Sequence, residues 1–374
     1  MKIAILGAGN MGTAIAADLA RKNLVAIHSS KPQLFTKTLR YVDMVNGDAF
    51  ESKLSMVSDN YAKVLFEAEI VFVTLPTPVI QSVVKEILPY INSKTIVGYV
   101  PGAGGVEFLS SALIAKGVCV FGFERVPYVA RLSEYGKVVT ASKKDRYRVA
   151  VFPKNRNSEV ANLIGQLFDR PCSEMNSFLS MTLTPTLHTS RLYDLYADYA
   201  PGDQLADNPF FYAEWRDSAS SICLQLDDEL HMVTKTLSSY GLDASDLVPY
   251  RIHYESPTVE LLTKKIRSIA SLSRIKGPVI ENIDGTFSLD LTSRYFTESF
   301  PFRLAIVKGL ADLIEEEVPL TTEILEWYGE LIGKKYLDKG RLVGKDVIEC
   351  NVPQNYGIRC INDLVAFYSE ERNN

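Results

Sequence analysis

A chain of 374 residues is long for one core and suits two domains. Its 47% hydrophobic and 23% charged residues are ordinary globular proportions and exclude bulk disorder. A net charge of −5 excludes the basic surface that a nucleic-acid partner needs. In chain order, Lys2–Leu6 reads as a buried strand and Met11–Lys22 as an alanine-rich helix. Leu24–His28, Glu69–Leu75, Thr95–Val100, Val118–Phe123 and Arg148–Phe152 read as further strands. Strands alternating with helical segments predict an α/β domain, doubly wound, with a mostly parallel sheet. After about Cys172 the apolar spacing becomes helical, over Asp217–Leu237, Thr258–Leu272, Arg303–Glu317 and Thr321–Tyr336. Pro201-Gly202, Gly277-Pro278 and Asp284-Gly285 punctuate this part. The expected division is an α/β domain over 1–178 and an all-α domain over 179–374.

The apolar start, Met1 to Leu6, is too short for a secretory signal, and no run of about 20 uninterrupted apolar residues follows. No membrane span is expected. The five cysteines, Cys119, Cys172, Cys223, Cys350 and Cys360, are odd in number and lack CxxC spacing. Neither a disulfide framework nor a zinc site is expected, no metal-ligand cluster is visible, and a reducing cytoplasm is the expected location.

Gly7-Ala8-Gly9-Asn10-Met11-Gly12 is a GxGxxG that closes a strand and opens a helix. In that context it predicts dinucleotide binding: a tight turn, a close approach of pyrophosphate to backbone, and amides at a helix start that receive phosphate. An acidic residue at the end of the second strand would bind the ribose 2′-hydroxyl of NAD. Here the segment is His28-Ser29-Ser30-Lys31, with no carboxylate. Ser29, Ser30 and Lys31 therefore favour NADP(H), with NAD(H) as the alternative. Leu75, Pro76 and Thr77, in Thr74-Leu75-Pro76-Thr77-Pro78, follow a strand on the edge where ligands bind. Pro101-Gly102-Ala103-Gly104-Gly105 is a second glycine turn, which also reads as a plain turn.

Four histidines exist, His28, His188, His231 and His253. His188 lies where the second domain begins and is expected to face a cleft between domains. Reducing a C=O or C=N bond needs a proton donor, and imidazole is the usual one. His231 and His253 read as structural.

Gly122-Phe123-Glu124-Arg125-Val126-Pro127-Tyr128, Thr184-Pro185 with His188 and Arg191, and Ser293-Arg294-Tyr295-Phe296-Thr297-Glu298 resemble hallmark segments of the octopine/nopaline (opine) dehydrogenase family. The resemblance runs in the family's order to about residue 340. It implies a Rossmann domain followed by a helical domain of the 6-phosphogluconate-dehydrogenase-like type, and a homodimer through the latter. It implies NAD(P)H-dependent reductive condensation of an amino acid with a 2-oxo acid, with His188 as catalytic acid/base. The family orients that histidine with an aspartate just after the Arg-Tyr-Phe-Thr-Glu run. This chain has Ser299 there, with Glu298 one residue away as the nearest carboxylate. Phe302-Arg303 stands where the family commonly has Tyr-Gly. Two carboxylates must be held, and arginine grips carboxylate bidentately. Arg125, Arg191 and Arg294 are the expected anion contacts, and Arg303 is a further cation.

Two other readings compete. Ketopantoate reductase and 6-phosphogluconate dehydrogenase relatives share the architecture but rely on a lysine near the start of the helical domain. A non-catalytic NAD(P)-binding sensor would account for Ser299. Tyr90-Ile91-Asn92-Ser93-Lys94 matches YxxxK but reads as a loop. Phe210-Phe211-Tyr212 with Trp215 reads as core or dimer contact.

Overall fold

The computed structural model describes residues 1–373, which divide into two compact units. The first comprises Met1–Thr182 and returns for Phe367 onward; the second comprises Leu183–Ala366. The boundary thus falls four residues beyond the expected 178, and the last helix, Ile361–Asn373, begins in the second unit and from Phe367 is counted with the first.

The first unit is built on an eight-stranded sheet. Its strands are β1 (Lys2–Leu6), β2 (Leu24–His28), β5 (Met56–Ser58), β6 (Ile70–Val73), β7 (Ile96–Tyr99), β8 (Cys119–Phe123), β11 (Tyr147–Phe152) and β12 (Cys172–Glu174). They are arranged in the order β12-β11-β8-β7-β6-β1-β2-β5. Every pairing is parallel except β11 with β8. Central strands such as Ile70–Val73 are wholly buried, because helices cover both faces of a parallel sheet. β1 lies between β2 and β6, so the winding reverses beside it, with Ile3 paired to both Val25 and Ile70. Such a switch point leaves a crevice at the carboxyl end of the sheet, and the glycine loop occupies that end of β1.

A second sheet was not legible in the sequence. β3 (Thr38–Asp43) and β4 (Ala49–Lys53) follow β2, and β9 (Tyr128–Glu134) and β10 (Val138–Lys143) follow β8. They pair in the order β4-β3-β10-β9. Leu39 and Tyr41 alternate with exposed Thr38 and Arg40, a period of two that buries one face only. That face joins a core of Ile5, Ile15, Ile27, Phe72, Phe123, Tyr128 and Phe168.

The second unit is mainly helical. The helix Asp217–Ser239 is its longest, and it packs with His188–Tyr196, Val259–Arg267, Ala305–Leu313 and Pro319–Leu331. Buried Glu229 on the long helix accepts from the amides of Leu320 (2.7 Å) and Thr321 (2.9 Å). A carboxylate so placed satisfies the open donors of Pro319–Leu331 and complements its dipole. The expectation of an all-α domain needs one correction. β13 (Val279–Glu281) and β14 (Phe287–Leu289) form an antiparallel hairpin around Asp284-Gly285. Phe211 and Trp215 are fully buried and Tyr212 nearly so, which makes that aromatic cluster core. Among the described residues no helix is long and apolar enough to cross a membrane.

Candidate active site

In the first unit the glycine loop has the geometry of a phosphate cradle. Gly7 has φ 110°, a value that favours glycine. A Cβ at Gly12 would meet the Gly7 carbonyl oxygen at 1.8 Å, so the helix Asn10–Leu19 packs against the loop only because Gly12 has no side chain. A Cβ at Gly9 would meet nothing within 4 Å, so the loop is open at that point. Open space beside Gly9, at the start of a helix without a side-chain cap, fits a dinucleotide pyrophosphate. Ala8 is buried and Met11 half-buried, whereas Gly9 and Asn10 are exposed. Asn10 does more than line the loop: its Oδ1 accepts from the Leu132 amide at 2.8 Å and ties β9 to the helix start. Thr74 Oγ1 donates to the Gly7 carbonyl (3.0 Å), and half-buried Leu75 lies over the same glycine. Pro76 is exposed, and Thr77 opens the helix Thr77–Ile87.

Ser29 corrects the expectation. It is 2% exposed, and its hydroxyl is bonded to Tyr135 OH (2.9 Å) and accepts from the Lys31 amide (3.0 Å). It shapes the turn and is not presented to a ligand. Ser30 and Lys31 are exposed. Arg125 is exposed at the end of β8.

In the second unit, His188 is the first residue of the helix His188–Tyr196. Its Nδ1 lies 3.1 Å from Ser299 Oγ, a hydrogen bond whose direction follows the imidazole tautomer. Ser299 is 2% exposed and immediately precedes a π-helical turn, Phe300–Leu304, in which the Leu304 amide reaches back to the Ser299 carbonyl (3.1 Å). Such turns often re-aim side chains at functional sites. Ser299 is thus the side chain bonded to the imidazole of His188. Tyr295 lies against the imidazole with ring centroids 4.3 Å apart, and Phe211 meets both rings. Neither aromatic was read from the sequence as a neighbour of His188. Tyr295 lay in plain view inside a hallmark segment, but its contact with His188 depends on the tertiary fold.

Burial, then Arg303, then Arg294 push the His188 pKa down to about 3 from its usual 6.5. The helix start adds a partial positive charge of the same sign. The imidazole is therefore neutral near pH 7. Arg303 Nη1 donates to the Thr184 carbonyl at 2.9 Å, which holds the guanidinium between the turn that carries Ser299 and the segment that leads to His188.

Two expected residues are used differently. Glu298 receives Arg294 bidentately, Nε at 3.1 Å and Nη2 at 3.0 Å. Its carboxylate is thus committed to Arg294, and Ser299, not Glu298, meets His188. Arg191 is 1% exposed, and its donors go to Asp194 (2.7 Å), the Phe211 carbonyl (2.9 Å) and the Glu214 carbonyl (2.7 Å). It fastens the loop that carries Phe211 and is no substrate contact. Arg294 keeps a largely exposed side chain. His231 lies beside Asp227, and His253 against Tyr254. Among the described residues no group of three or more His, Cys, Asp or Glu is placed to hold a metal ion.

The class that fold and site define is a two-domain dehydrogenase with an N-terminal dinucleotide-binding domain and a helical domain bearing a histidine. Residues 174–332 match the family described as NAD/NADP octopine/nopaline dehydrogenase, alpha-helical domain. Residues 2–117 match NAD-dependent glycerol-3-phosphate dehydrogenase N-terminus. The helical part of the chain is thus similar to the octopine/nopaline dehydrogenase family. Tauropine dehydrogenase of Arabella iricolor is 26% identical, over 91% of this chain and 90% of that one. Octopine dehydrogenase of Mizuhopecten yessoensis is 23% identical, over 98% of each. A solved octopine dehydrogenase with NADH and L-arginine superposes with a TM-score of 0.85 at 22% identity, covering 97% of each chain.

Proposed function

We propose that this chain is an opine-type dehydrogenase that condenses an amino acid with a 2-oxo acid such as pyruvate, using NAD(P)H to form a C–N bond reductively. The observation that carries this reading is half-buried His188 bonded to buried Ser299 beside Arg294 and Arg303, on the helical domain matched to that family. The relatives agree in kind, since the curated ones are named as tauropine, opine and octopine dehydrogenases.

The amine adds to the keto carbon, and loss of water leaves an imine. When bound, the nicotinamide supplies a hydride to that carbon. The loop around Gly9, with Ala8, Asn10, Met11 and Gly12, holds the pyrophosphate, and Leu75, Pro76 and Thr77 border the same edge. His188 carries the proton: as imidazolium it donates in the reductive direction, and as neutral imidazole it accepts in the oxidative one. Ser299 holds the ring orientation through its hydrogen bond with Nδ1. A serine does so without the charge by which a carboxylate stabilises imidazolium. Arg294 and exposed Arg125 are the proposed carboxylate contacts.

NADP(H) is the proposed cofactor, with NAD(H) second. Exposed Ser30 and Lys31, with no carboxylate at the end of β2, support it. A higher kcat/KM with NADH than with NADPH overturns that preference. A cytoplasmic protein and a homodimer through the helical domain belong to the same reading. The free cysteines support the first, and exposed Met232, Ile252 and Leu261 supply apolar surface for the second. The ketopantoate-reductase-like alternative is not favoured, because Leu183–Arg191 offers His188 and no lysine.

The test is reduced-cofactor oxidation at 340 nm with amino acids set against pyruvate, 2-oxoglutarate and glyoxylate. Oxidation that requires both partners supports condensation. Oxidation with the oxo acid alone makes the chain a carbonyl reductase.

A further inference from the structure

The position after β2 decides what a ribose meets, and in this chain its side chain is turned inward. Ser29 stands where a carboxylate would bind a ribose 2′-hydroxyl, yet it is 2% exposed. Its hydroxyl lies 2.9 Å from Tyr135 OH and accepts from the Lys31 amide at 3.0 Å. A serine bonded to the amide two residues on closes a tight local turn. That turn leaves Ser30 and Lys31 exposed, and a tyrosine 106 residues away reaches it through Ser29. Tyr135 lies at the tip of the hairpin between β9 and β10. Gly136, beside it, accepts from the Thr36 amide (3.1 Å) and from Thr36 Oγ1 (3.2 Å). A Cβ at Gly136 would meet the Leu34 carbonyl oxygen at 2.5 Å, so the hairpin tip rests directly on the segment after β2. The Tyr135 ring meets Phe35 edge to face, with centroids 5.3 Å apart. Two consecutive residues thus hold the segment 29–36 at both ends, where a surface loop is ordinarily mobile. The ring and Gly136 dock the hairpin; what the Tyr135 hydroxyl adds is the bond to Ser29.

We infer that Tyr135 is a positioning residue for cofactor choice: its hydroxyl, through Ser29, holds the turn in which Ser30 and Lys31 are offered to an adenosine 2′-phosphate. The inference rests on the NADP(H) reading and names the residue outside the turn that enforces it. A 2′-phosphate is gripped best by a turn already formed, because ordering the turn on binding costs affinity. A bare 2′-hydroxyl asks much less of the same turn, so NADH is nearly indifferent to Tyr135.

The full-length protein is titrated with NADPH and NADH by cofactor fluorescence, and with adenosine 2′,5′-bisphosphate and adenosine 5′-monophosphate by calorimetry. Tyr135→Phe keeps the ring against Phe35 and removes the hydroxyl. It is expected to weaken NADPH about 3- to 10-fold, the worth of one neutral hydrogen bond, and to leave NADH within about twofold. The bisphosphate should lose to the same extent against the monophosphate. Ser29→Ala, which deletes the other partner, should act at least as strongly. Lys31→Met removes the preference directly, and adding Tyr135→Phe to it should cost nothing more, because both act on one contact. Equal weakening of NADPH and NADH by Tyr135→Phe, or no weakening of either, overturns the inference and leaves the NADP(H) reading intact, because a merely structural tyrosine acts on both cofactors alike. Full additivity with Lys31→Met overturns it as well. A wild type that prefers NADH overturns the NADP(H) reading, and the adenosine probes then decide the inference. It stands if Tyr135→Phe lowers the affinity for bisphosphate relative to monophosphate, and falls if that ratio is unchanged. A wild type that binds neither cofactor overturns both.

Discussion

At the scale of single residues, the proton on His188 sets what the site can do. With its pKa near 3 in the free protein, the imidazole is almost wholly neutral near pH 7, a weak base whose strongly acidic protonated form is scarce. The pH profile of kcat/KM reports the free enzyme. In the reductive direction it should fall as pH rises across 5–8, because the imidazolium fraction falls; in the oxidative direction it should be flat there. A reductive profile that is level over this range contradicts a depressed histidine. His188→Ala is expected to lower kcat by about 10²–10⁴ while leaving cofactor affinity nearly unchanged, and unchanged turnover removes His188 from the chemistry. Ser299→Asp brings a carboxylate to the position whose hydroxyl now lies 3.1 Å from Nδ1, and a carboxylate beside the ring favours imidazolium. Reductive kcat at pH 7–8 should rise; a fall with the fold intact, judged by circular dichroism, gives the serine a role of its own. Arg191 makes the opposite case, of a hallmark residue whose work is structural. Arg191→Met leaves Asp194 with a buried charge and one fewer donor, and about 3–5 kcal/mol of stability should be lost in urea titration. A variant as stable as the wild type with a raised substrate KM would return Arg191 to the binding site.

At the scale of elements, local rules made some parts legible and tertiary contacts hid others. The strands Lys2–Leu6 and Leu24–His28 were readable to the residue, because a buried parallel strand is a continuous apolar run ended by glycine or polar residues. β3 and β4 were not, because each buries only alternate residues over a few positions, and their pair joins a sheet only through β10, about a hundred residues away from β3. The same reason hid the roles of Ser29 and Asn10. Their partners, Tyr135 and Leu132, belong to that unseen sheet and its hairpin turn. His188 and Ser299 were legible as a pair only through resemblance, since 111 residues separate them. The glycine loop offers a test of local reading against packing. Gly9→Ala projects into open space and should leave the melting temperature near that of the wild type while weakening cofactor binding. Gly12→Ala collides with the Gly7 carbonyl and should lower both. Fluorescence titration with NADPH and thermal melts read the two effects, and equal melting losses in the two variants would show that Gly9 also serves packing.

At the scale of the whole molecule, the chain leaves the first unit once, after Thr182, and re-enters it once, at Phe367. One buried side chain grips both crossings from within that unit. Glu107 is fully buried; Thr182 Oγ1 donates to it from 2.6 and 2.7 Å of its two oxygens, and Tyr368 OH donates at 2.7 Å. Burial pushes its pKa up to about 7 from 4.5, with the two hydroxyl donors opposing. Between those values the folded protein holds a proton that the unfolded chain has released. Stability must therefore fall as pH rises from about 4.5 to 7, by about 1.4 kcal/mol per unit of difference in pKa at most. Glu107→Gln keeps the shape and cannot ionise, so its urea midpoint should lack this slope while the wild type's retains it. Hydrogen exchange separates the latch from a general loss of stability. In the wild type, amides near Thr182 and Tyr368 should exchange faster at pH 8 than at pH 6 after correction for the intrinsic rate, whereas those of β1 and β6 should not. Parallel pH slopes for the two proteins would show that Glu107 keeps one protonation state throughout. The two crossings would then be held by packing around Phe108 and Phe367, whose rings lie 5.3 Å apart, and not by a titrating carboxyl.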